Sequence, residues 1–150
     1  MVDPRVIEGV RLIVARSWYD AHEALEGPWQ EREAGPDRDA LQSVIQITVA
    51  LEHLQRGNAL GCFNVWNRAR VKLKQLGPDH AWVDGIGVGD WNEALGPFFE
   101  EARLADRVKA GLEGGVTDGA EHLDVSTFPP LPVAERWPLP PLSDDLQQLL

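Results

Sequence analysis

The chain has 150 residues, 43% of them hydrophobic, and its 14 basic and 24 acidic residues give it a formal net charge of −10. That length and hydrophobic fraction suffice for one domain with one core, and the lack of a dense basic patch argues against nucleic-acid binding. No apolar run approaches the roughly 20 residues that cross a bilayer, the start lacks a secretion-signal pattern, and the single Cys62 excludes an internal disulfide, so we expect a cytoplasmic protein with no membrane partner.

Two helices are predicted at the start of the chain. Asp3-Pro4 is typical of an N-cap followed by proline at the first helical position, and the apolar spacing after it predicts a helix through about Ala15. The run over 17–20 is predicted to be a capping box that opens a second helix from Trp18 to at least Glu26, with a loose helical turn beyond it through Trp29 to about Arg32. Gly27-Pro28 should kink or break this helix, because Pro28 lacks a backbone donor and its ring clashes with the carbonyl four residues back.

The third predicted helix is the central element of the fold. It opens at Pro36-Asp37 and runs to Arg56, and Gly57 is its left-handed stop. Its apolar residues point in almost every direction, which is typical of a helix that is surrounded by protein. Asn58 is predicted to cap a fourth helix over 59–76.

The last part of the chain changes in composition. A fifth helix is predicted from a capping box over 90–93 to about residue 111, and residues 112–150 then contain six of the eleven prolines and no lysine. Apolar residues between these prolines predict an extended arm, anchored by Trp137, that lies across its own domain or across a second subunit of a homodimer. We therefore expect an all-α domain of about five helices over 1–111, followed by an acidic, proline-rich C-terminal arm with a short final helix.

Polar side chains form one stripe on the second predicted helix and another on the third. At a rotation of 100° per residue, each stripe covers only part of the circumference of its helix, and the third helix is otherwise apolar. Polar groups on a buried helix cost free energy unless they are paired, so the stripes are natural partners if the helices pack antiparallel across a turn at 33–37. The predicted polar cluster consists of Tyr19, His22, Glu23, Glu26, Gln42, Gln46, His53 and Arg56.

Three roles are open for this cluster. The first is a structural polar network that fixes the register of the two helices. The second is a site for a small-molecule ligand or for a divalent metal such as zinc, iron or manganese, with His22, Glu26 and His53 as metal ligands. The third is a metal-assisted or acid–base hydrolase that uses His22, Glu26 and His53. In it, Glu26 or Glu23 is the general base and His22 its partner. We favour a non-catalytic binding or scaffolding module over the hydrolase.

Three spaced motifs in this region resemble those of a known family. They are the run Tyr-Asp-Ala-His-Glu-Ala-Leu-Glu over 19–26 with Trp29 after it, the run Leu-Gln-Ser-Val-Ile-Gln over 41–46, and the run His-Leu-Gln-Arg-Gly-Asn over 53–58. The pattern is similar to that of domain-of-unknown-function family 309. Its members carry an Ala-His-Glu-x-x-Glu-x-x-Trp segment, a Leu-Gln-Gly-x-Ile-Gln helix and a His-x-x-x-Gly-Asn close. The resemblance covers roughly residues 5–107 and implies a small irregular array of α-helices, but no reaction.

Three positions depart from the pattern that the resemblance implies. Arg16 stands where the family has a glycine before the second helix, Ser43 replaces the glycine of the glutamine motif, and Gly27-Pro28 interrupts the second helix. The site residues that the resemblance implies are His22, Glu23, Glu26, Trp29, Gln42, Gln46, His53, Arg56, Gly57 and Asn58.

Overall fold

Seven α-helices form the part of the chain that the computed structural model describes, residues 1–114 and 129–150. They are α1 (Pro4–Val14), α2 (Trp18–Glu31), α3 (Pro36–Gln55), α4 (Ala59–Leu76), α5 (Val88–Glu101), α6 (Leu104–Glu113) and α7 (Asp144–Leu149), and short 3-10 turns lie at Pro78–His80 and Ala134–Arg136. The predicted all-α class is confirmed, but the prediction of about five helices is wrong. None of the described helices combines the length and apolarity that crossing a bilayer requires.

The start of α1 and its packing on α2 follow from local sequence features. The Asp3 carboxylate accepts a hydrogen bond from the backbone N–H of Arg5 at 2.8 Å, which confirms the predicted N-cap. Gly9 lies where α1 meets α2, and a Cβ atom at this position would come within 2.6 Å of the Leu25 side chain. The two helices can therefore approach this closely because residue 9 has no side chain. The buried apolar residues of α1 are Val6, Val10 and Ile13.

The second helix continues through the predicted interruption. It runs over Trp18–Glu31 with Pro28 inside it, so a break at Gly27-Pro28 is wrong, and the turn predicted through Trp29 is part of the same helix. Contacts from outside the helix hold its last turn, since the Arg5 guanidinium of α1 lies 2.5 Å from the Glu31 carboxylate and Pro28 itself is buried. The predicted capping box is also wrong, because the Ser17 side chain makes no capping hydrogen bond.

The third helix is the central element, as predicted. It packs against α2 on one side and most extensively against α4 on the other. Gly57 ends it with a φ of +85°, which confirms the left-handed stop. The Asn58 carboxamide oxygen accepts from the Gly61 N–H at 2.9 Å, which confirms the cap of α4. The buried apolar residues of α3 are Ala40, Leu41, Val44, Ile45, Ile47, Ala50, Leu51 and Leu54.

The fifth helix begins before the predicted capping box. Its first residue is Val88 rather than Asp90, and its N-cap is Gly87. The Gly87 carbonyl accepts the first intrahelical bond from Trp91 at 3.1 Å, while the Gly87 N–H donates to the Pro141 carbonyl of the arm at 2.7 Å. A contact with the distant arm, not a local side-chain cap, accompanies this helix start.

The predicted single helix up to residue 111 is wrong as well, because it divides into α5 and α6. The break lies at Arg103, whose φ of +58° is in the left-handed region. The buried Arg107 of α6 bridges the break, since its guanidinium donates to the carbonyl of Ala102 at 2.7 Å. It also donates to the carbonyl of Pro129 at 2.7 Å, which ties the start of the described arm to the corner.

The described part of the arm packs on helices of its own chain. Trp137 is 6% exposed, and its ring stacks on that of Trp18 with 6.2 Å between the centroids. The Trp91 indole N–H donates to the carbonyl of Pro138 at 2.8 Å. These contacts confirm Trp137 as an anchor of the arm, while the predicted homodimer stays a prediction. The stretch of the predicted arm over 115–128 lies outside the described residues.

Candidate functional site

His22 and Glu26 form the centre of the polar stripe on α2. Their side chains lie one turn apart, with 3.9 Å between His22 Nε2 and Glu26 Oε2. The Tyr19 ring stands edge-on to the imidazole, with 5.9 Å between the ring centroids. His22 Nδ1 is buried and has no hydrogen-bond partner, whereas the Glu26 side chain is 42% exposed. The imidazole therefore has one nitrogen near a carboxylate and one that the described residues leave unpaired.

Tyr19 and Glu23 join a second small group at the start of α2. A hydrogen bond with the Glu23 carboxylate raises the pKa of Tyr19, and the negative charge of Glu52 on α3 raises it further. Arg56 pairs with this same Glu52, with 3.4 Å between its Nε and Oε1. Arg56 thus binds a carboxylate of α3, and sequence reasoning missed Glu52. The spacing of four residues between Glu52 and Arg56 could have indicated the pair.

The three polar residues of the α3 stripe have different surroundings. Gln42 accepts a hydrogen bond from the Lys72 ammonium of α4, and His53 Nδ1 lies 3.4 Å from the Asn58 carboxamide nitrogen. Gln46 lies between them, and its Oε1 is buried without a hydrogen-bond partner. The stripe is therefore divided, and its two ends bind groups of α4 and of the α3–α4 connection instead of α2.

Two contacts set the register between α2 and α3. Near the turn that joins the helices, the Arg38 guanidinium lies 4.7 Å from the centre of the Trp29 ring and donates to the Trp29 carbonyl at 3.2 Å. At the other end of the helix pair, Tyr19 of α2 lies close enough to Glu52 of α3 for the negative charge of Glu52 to raise the Tyr19 pKa. The helices are therefore antiparallel. Interpolation between these points at 1.5 Å per residue puts Gln46 at the same level along the helix axes as the turn that carries His22 and Glu26.

Unpaired polar atoms concentrate in this region. Four buried side-chain atoms of the described residues have no hydrogen-bond partner, and three of them are His22 Nδ1, Trp29 Nε1 and Gln46 Oε1. Such atoms are rare in folded proteins and each costs free energy. We call the group of residues His22, Glu26, Trp29 and Gln46 the α2–α3 seam. It contains one unpaired donor, one unpaired acceptor, one unpaired imidazole nitrogen and a half-exposed carboxylate.

The side chains predicted to bind a metal do not meet. His22 contacts Glu26 on α2, whereas His53, in the last turn of α3, contacts Asn58. Within residues 1–114 and 129–150, no three His, Cys, Asp or Glu side chains are grouped so that they could hold a metal ion. Cys62 is fully buried in the core, where desolvation raises the pKa of its thiol, and a thiol in that state is a poor nucleophile.

The three departures from the family pattern have structural explanations. Arg16 adopts a φ of +57°, a conformation that glycine adopts without strain, and its guanidinium donates to the Trp137 carbonyl of the arm at 3.1 Å. Ser43 is buried, and its hydroxyl donates to the Asp39 carbonyl at 3.1 Å. Gly27-Pro28 lies within the continuous α2. Each departure is therefore accommodated without a change in the helix order.

These features define a small all-α protein with a polar seam between two antiparallel helices, and a C-terminal arm packed on the helices. Residues 6–65 match the family model described as Domain of unknown function (DUF309), which confirms the resemblance over α1, α2, α3 and the start of α4. All residues of the α2–α3 seam lie within the match. No curated protein and no solved structure was found to match the chain.

Proposed function

We propose that the chain is a non-catalytic binding module whose α2–α3 seam takes a small ligand with a cationic, hydrogen-bond-donating nitrogen, such as a primary amine. One observation carries the proposal, the buried and unpaired Gln46 Oε1, at the level along the helix axes of the His22–Glu26 turn. This oxygen can only accept hydrogen bonds, so its missing partner is a donor.

The charge around Gln46 favours a cation over a neutral donor. Glu26 is half-exposed, and its only ion pair within the described residues is the 3.9 Å contact with His22. An ammonium group has three donors, so one group could bind Gln46 Oε1 and the Glu26 carboxylate together. Trp29 Nε1 lies three residues further along α2, roughly 4.5 Å along the helix axis. A hydrogen-bond acceptor on the ligand near the amine would satisfy that indole.

The hydrolase is not proposed further, since no described contact favours it. Its three residues are divided between two separate contacts, His22 with Glu26 and His53 with Asn58. A general acid–base pair has to reach one reacting group. His53 lies two helical turns beyond Gln46 on α3, roughly 10 Å along the axis.

Binding of putrescine, compared with 1,4-butanediol, tests the amine site. The diol has hydroxyls in place of the two ammonium groups of putrescine, and binding of either probe can be followed by the NMR signals of the Trp29 indole N–H, which are also present in the variants below. We expect putrescine to shift these signals and butanediol to leave them unchanged. Gln46→Leu should weaken putrescine binding at least about tenfold, because a hydrogen bond to a charged group is lost. The exposed Gln55, on the same helix, provides the matched control Gln55→Leu.

The stability of Gln46→Leu separates this site from a purely structural network. If the unpaired oxygen is reserved for a ligand, its replacement by an apolar group should stabilise the free protein by about 1 kcal/mol. A destabilised Gln46→Leu protein would mean that the amide supports the fold. That result, or equal shifts from the amine and the diol, would reject the proposal.

A further inference from the structure

A cavity lies between α4 and the corner where α5 meets α6. Its volume is about 520 Å³, and residues of all three helices line it. Cavities of about 300–1,000 Å³ are typical of small-molecule sites. This cavity contains no residue of the α2–α3 seam and lies almost entirely outside the segment that the family model covers. It is therefore a separate candidate site.

The walls of the cavity are aromatic and held in place. Trp66 meets Phe99 edge-to-face, with 4.6 Å between the ring centroids. The Trp66 indole N–H donates to the Asn92 carboxamide oxygen at 3.1 Å, which fixes the orientation of its ring. Phe63 lines the same cavity and is 38% exposed. A planar apolar group could therefore pack against Trp66 and Phe99, whose rings are held by these contacts, and against the exposed Phe63.

Arg70 supplies the positive charge of the cavity. Its guanidinium lies over the Trp66 ring, 4.0 Å from the centroid, and its Nη2 donates to Asn67 Oδ1 at 2.9 Å. Its Nε is buried and has no acceptor, and no ion pair joins Arg70 to any residue in the described ranges. The guanidinium is thus oriented by a ring and an amide while one buried N–H lacks a partner, an arrangement that suits an anion.

The other charged residues of the lining favour an anion of low charge. Arg103 pairs with Asp106, with 3.1 Å between Nη2 and Oδ2, so the positive charge of Arg103 is already balanced. Glu100 also lines the cavity. The Glu100 carboxylate near one uncompensated guanidinium should repel a phosphate dianion more strongly than a carboxylate.

We propose that this cavity binds a small aromatic carboxylate. The ring of the ligand packs among Phe63, Trp66 and Phe99, and its carboxylate accepts a hydrogen bond from Arg70 Nε. Gly96 contributes to the space, because a Cβ atom at this position would meet no atom within 4 Å. Glycine weakens a helix interior relative to alanine, and at this position it leaves the cavity open.

Titration with phenylacetate and with phenylacetamide tests the proposal on the full chain. The two probes have the same ring, and only the first carries a negative charge. We expect phenylacetate to bind with heat release in calorimetry and to shift the indole N–H signal of Trp66, and the amide to bind at least about tenfold more weakly. Failure of phenylacetate to bind at millimolar concentration, or equal binding of both probes, would overturn the proposal.

Two pairs of variants locate the binding. Arg70→Gln should weaken phenylacetate binding at least about tenfold, whereas Arg68→Gln, which removes the same charge from an exposed position on the same helix, should not. Equal losses in both would indicate a long-range charge effect and reject the contact. Gly96→Leu should block the cavity and Gly96→Ala should leave it open, so this pair tests the site even if Arg70→Gln does not fold. Unchanged binding by Gly96→Leu would place the ligand elsewhere.

Discussion

The segment that the family model covers, residues 6–65, differs from the C-terminal region, the described residues from Gly85 onward, in how its polar groups are paired. In the covered segment, Trp29 Nε1 and Gln46 Oε1 are buried without partners. In the C-terminal region, the indole N–H groups of Trp91 and Trp137 donate to the carbonyls of Pro138 and Pro132 at 2.8 and 2.7 Å. Complete pairing is what a structural contact requires, and unpaired atoms are tolerated where a ligand can complete them. These contacts of the arm are fully paired, whereas the α2–α3 seam retains unpaired atoms, and that difference is the basis of the proposed binding.

The two regions also differ in what fixes their backbone. In the covered segment, helix ends coincide with local signals such as Asp3, Gly57 and Asn58. In the C-terminal region, backbone bonds reach across the chain, as between Gly87 and Pro141 or between Ser143 and Gly85. Changes in the arm should therefore loosen distant elements, while changes in the covered segment should act where they are made.

Trp137→Ala should have the largest effect on stability. It removes a buried ring that stacks on Trp18 and contacts Phe98 at 5.1 Å between centroids, together with the bond to the Pro132 carbonyl. We expect a loss of about 3–5 kcal/mol in the free energy of unfolding, measured by urea denaturation. The exposed Trp82 provides the control, since Trp82→Ala should change the stability by less than about 0.5 kcal/mol.

A small loss in Trp137→Ala would contradict the structural role of the arm. If the arm detaches before the helices unfold, hydrogen exchange should show this as early exchange of the Trp91 indole N–H, which the arm protects through the Pro138 carbonyl. A melt that is unchanged from the parent protein, with full protection of that N–H, would mean that Trp137 does not anchor the arm.

The same substitution should have opposite effects at two glycines. Gly9→Ala in α1 puts a Cβ atom 2.6 Å from Leu25 Cγ, and the resulting overpacking should cost about 1–3 kcal/mol. Gly96→Ala in α5 meets no atom within 4 Å and should stabilise the protein by about 0.5–1 kcal/mol through helix propensity. Thermal melts of both variants measure the difference. Equal signs would show that α1 and α2 adjust more easily than their packing indicates.

Much of the covered segment could be predicted from the sequence because its signals are local. Asp3-Pro4, Gly57 and Asn58 mark helix ends through bonds within a few residues. Pro28 misled the prediction of α2, because the Arg5–Glu31 pair that holds the last turn comes from another helix. The split at Arg103 had no sequence signal, since only a tertiary environment maintains a left-handed arginine.

The candidate site could be predicted only in part. Helical periodicity identified His22, Glu26 and Gln46, whose positions depend on 3.6 residues per turn. It could not show that Lys72 of α4 donates a hydrogen bond to Gln42, because that contact depends on the packing of α4 against α3. The Arg70 cavity was not identified at all. Its residues come from three helices, and one of the corners that shapes it is the unpredicted break at Arg103.

Arg16 connects the two regions, and its replacement should have the smallest net effect. Arg16→Gly relieves the strain of a φ of +57°, a gain of roughly 1 kcal/mol. It also removes bonds from the guanidinium to the carbonyls of Trp137 and Glu135 at 3.1 and 3.3 Å, a loss of about 1 kcal/mol. The two terms should nearly cancel in the overall free energy of unfolding.

A double-mutant cycle with Trp137→Ala can separate these terms. Once the arm is detached, Arg16 has no carbonyl to bind, so Arg16→Gly should stabilise the Trp137→Ala protein by roughly 1 kcal/mol, the relieved strain alone. The difference between the two backgrounds, measured by urea denaturation, is then the contribution of Arg16 to holding the arm. Equal effects in both backgrounds would mean that Arg16 contributes nothing to that attachment. In that case, the arginine at the family's glycine position would have only a cost, and the arm would depend on its tryptophan contacts.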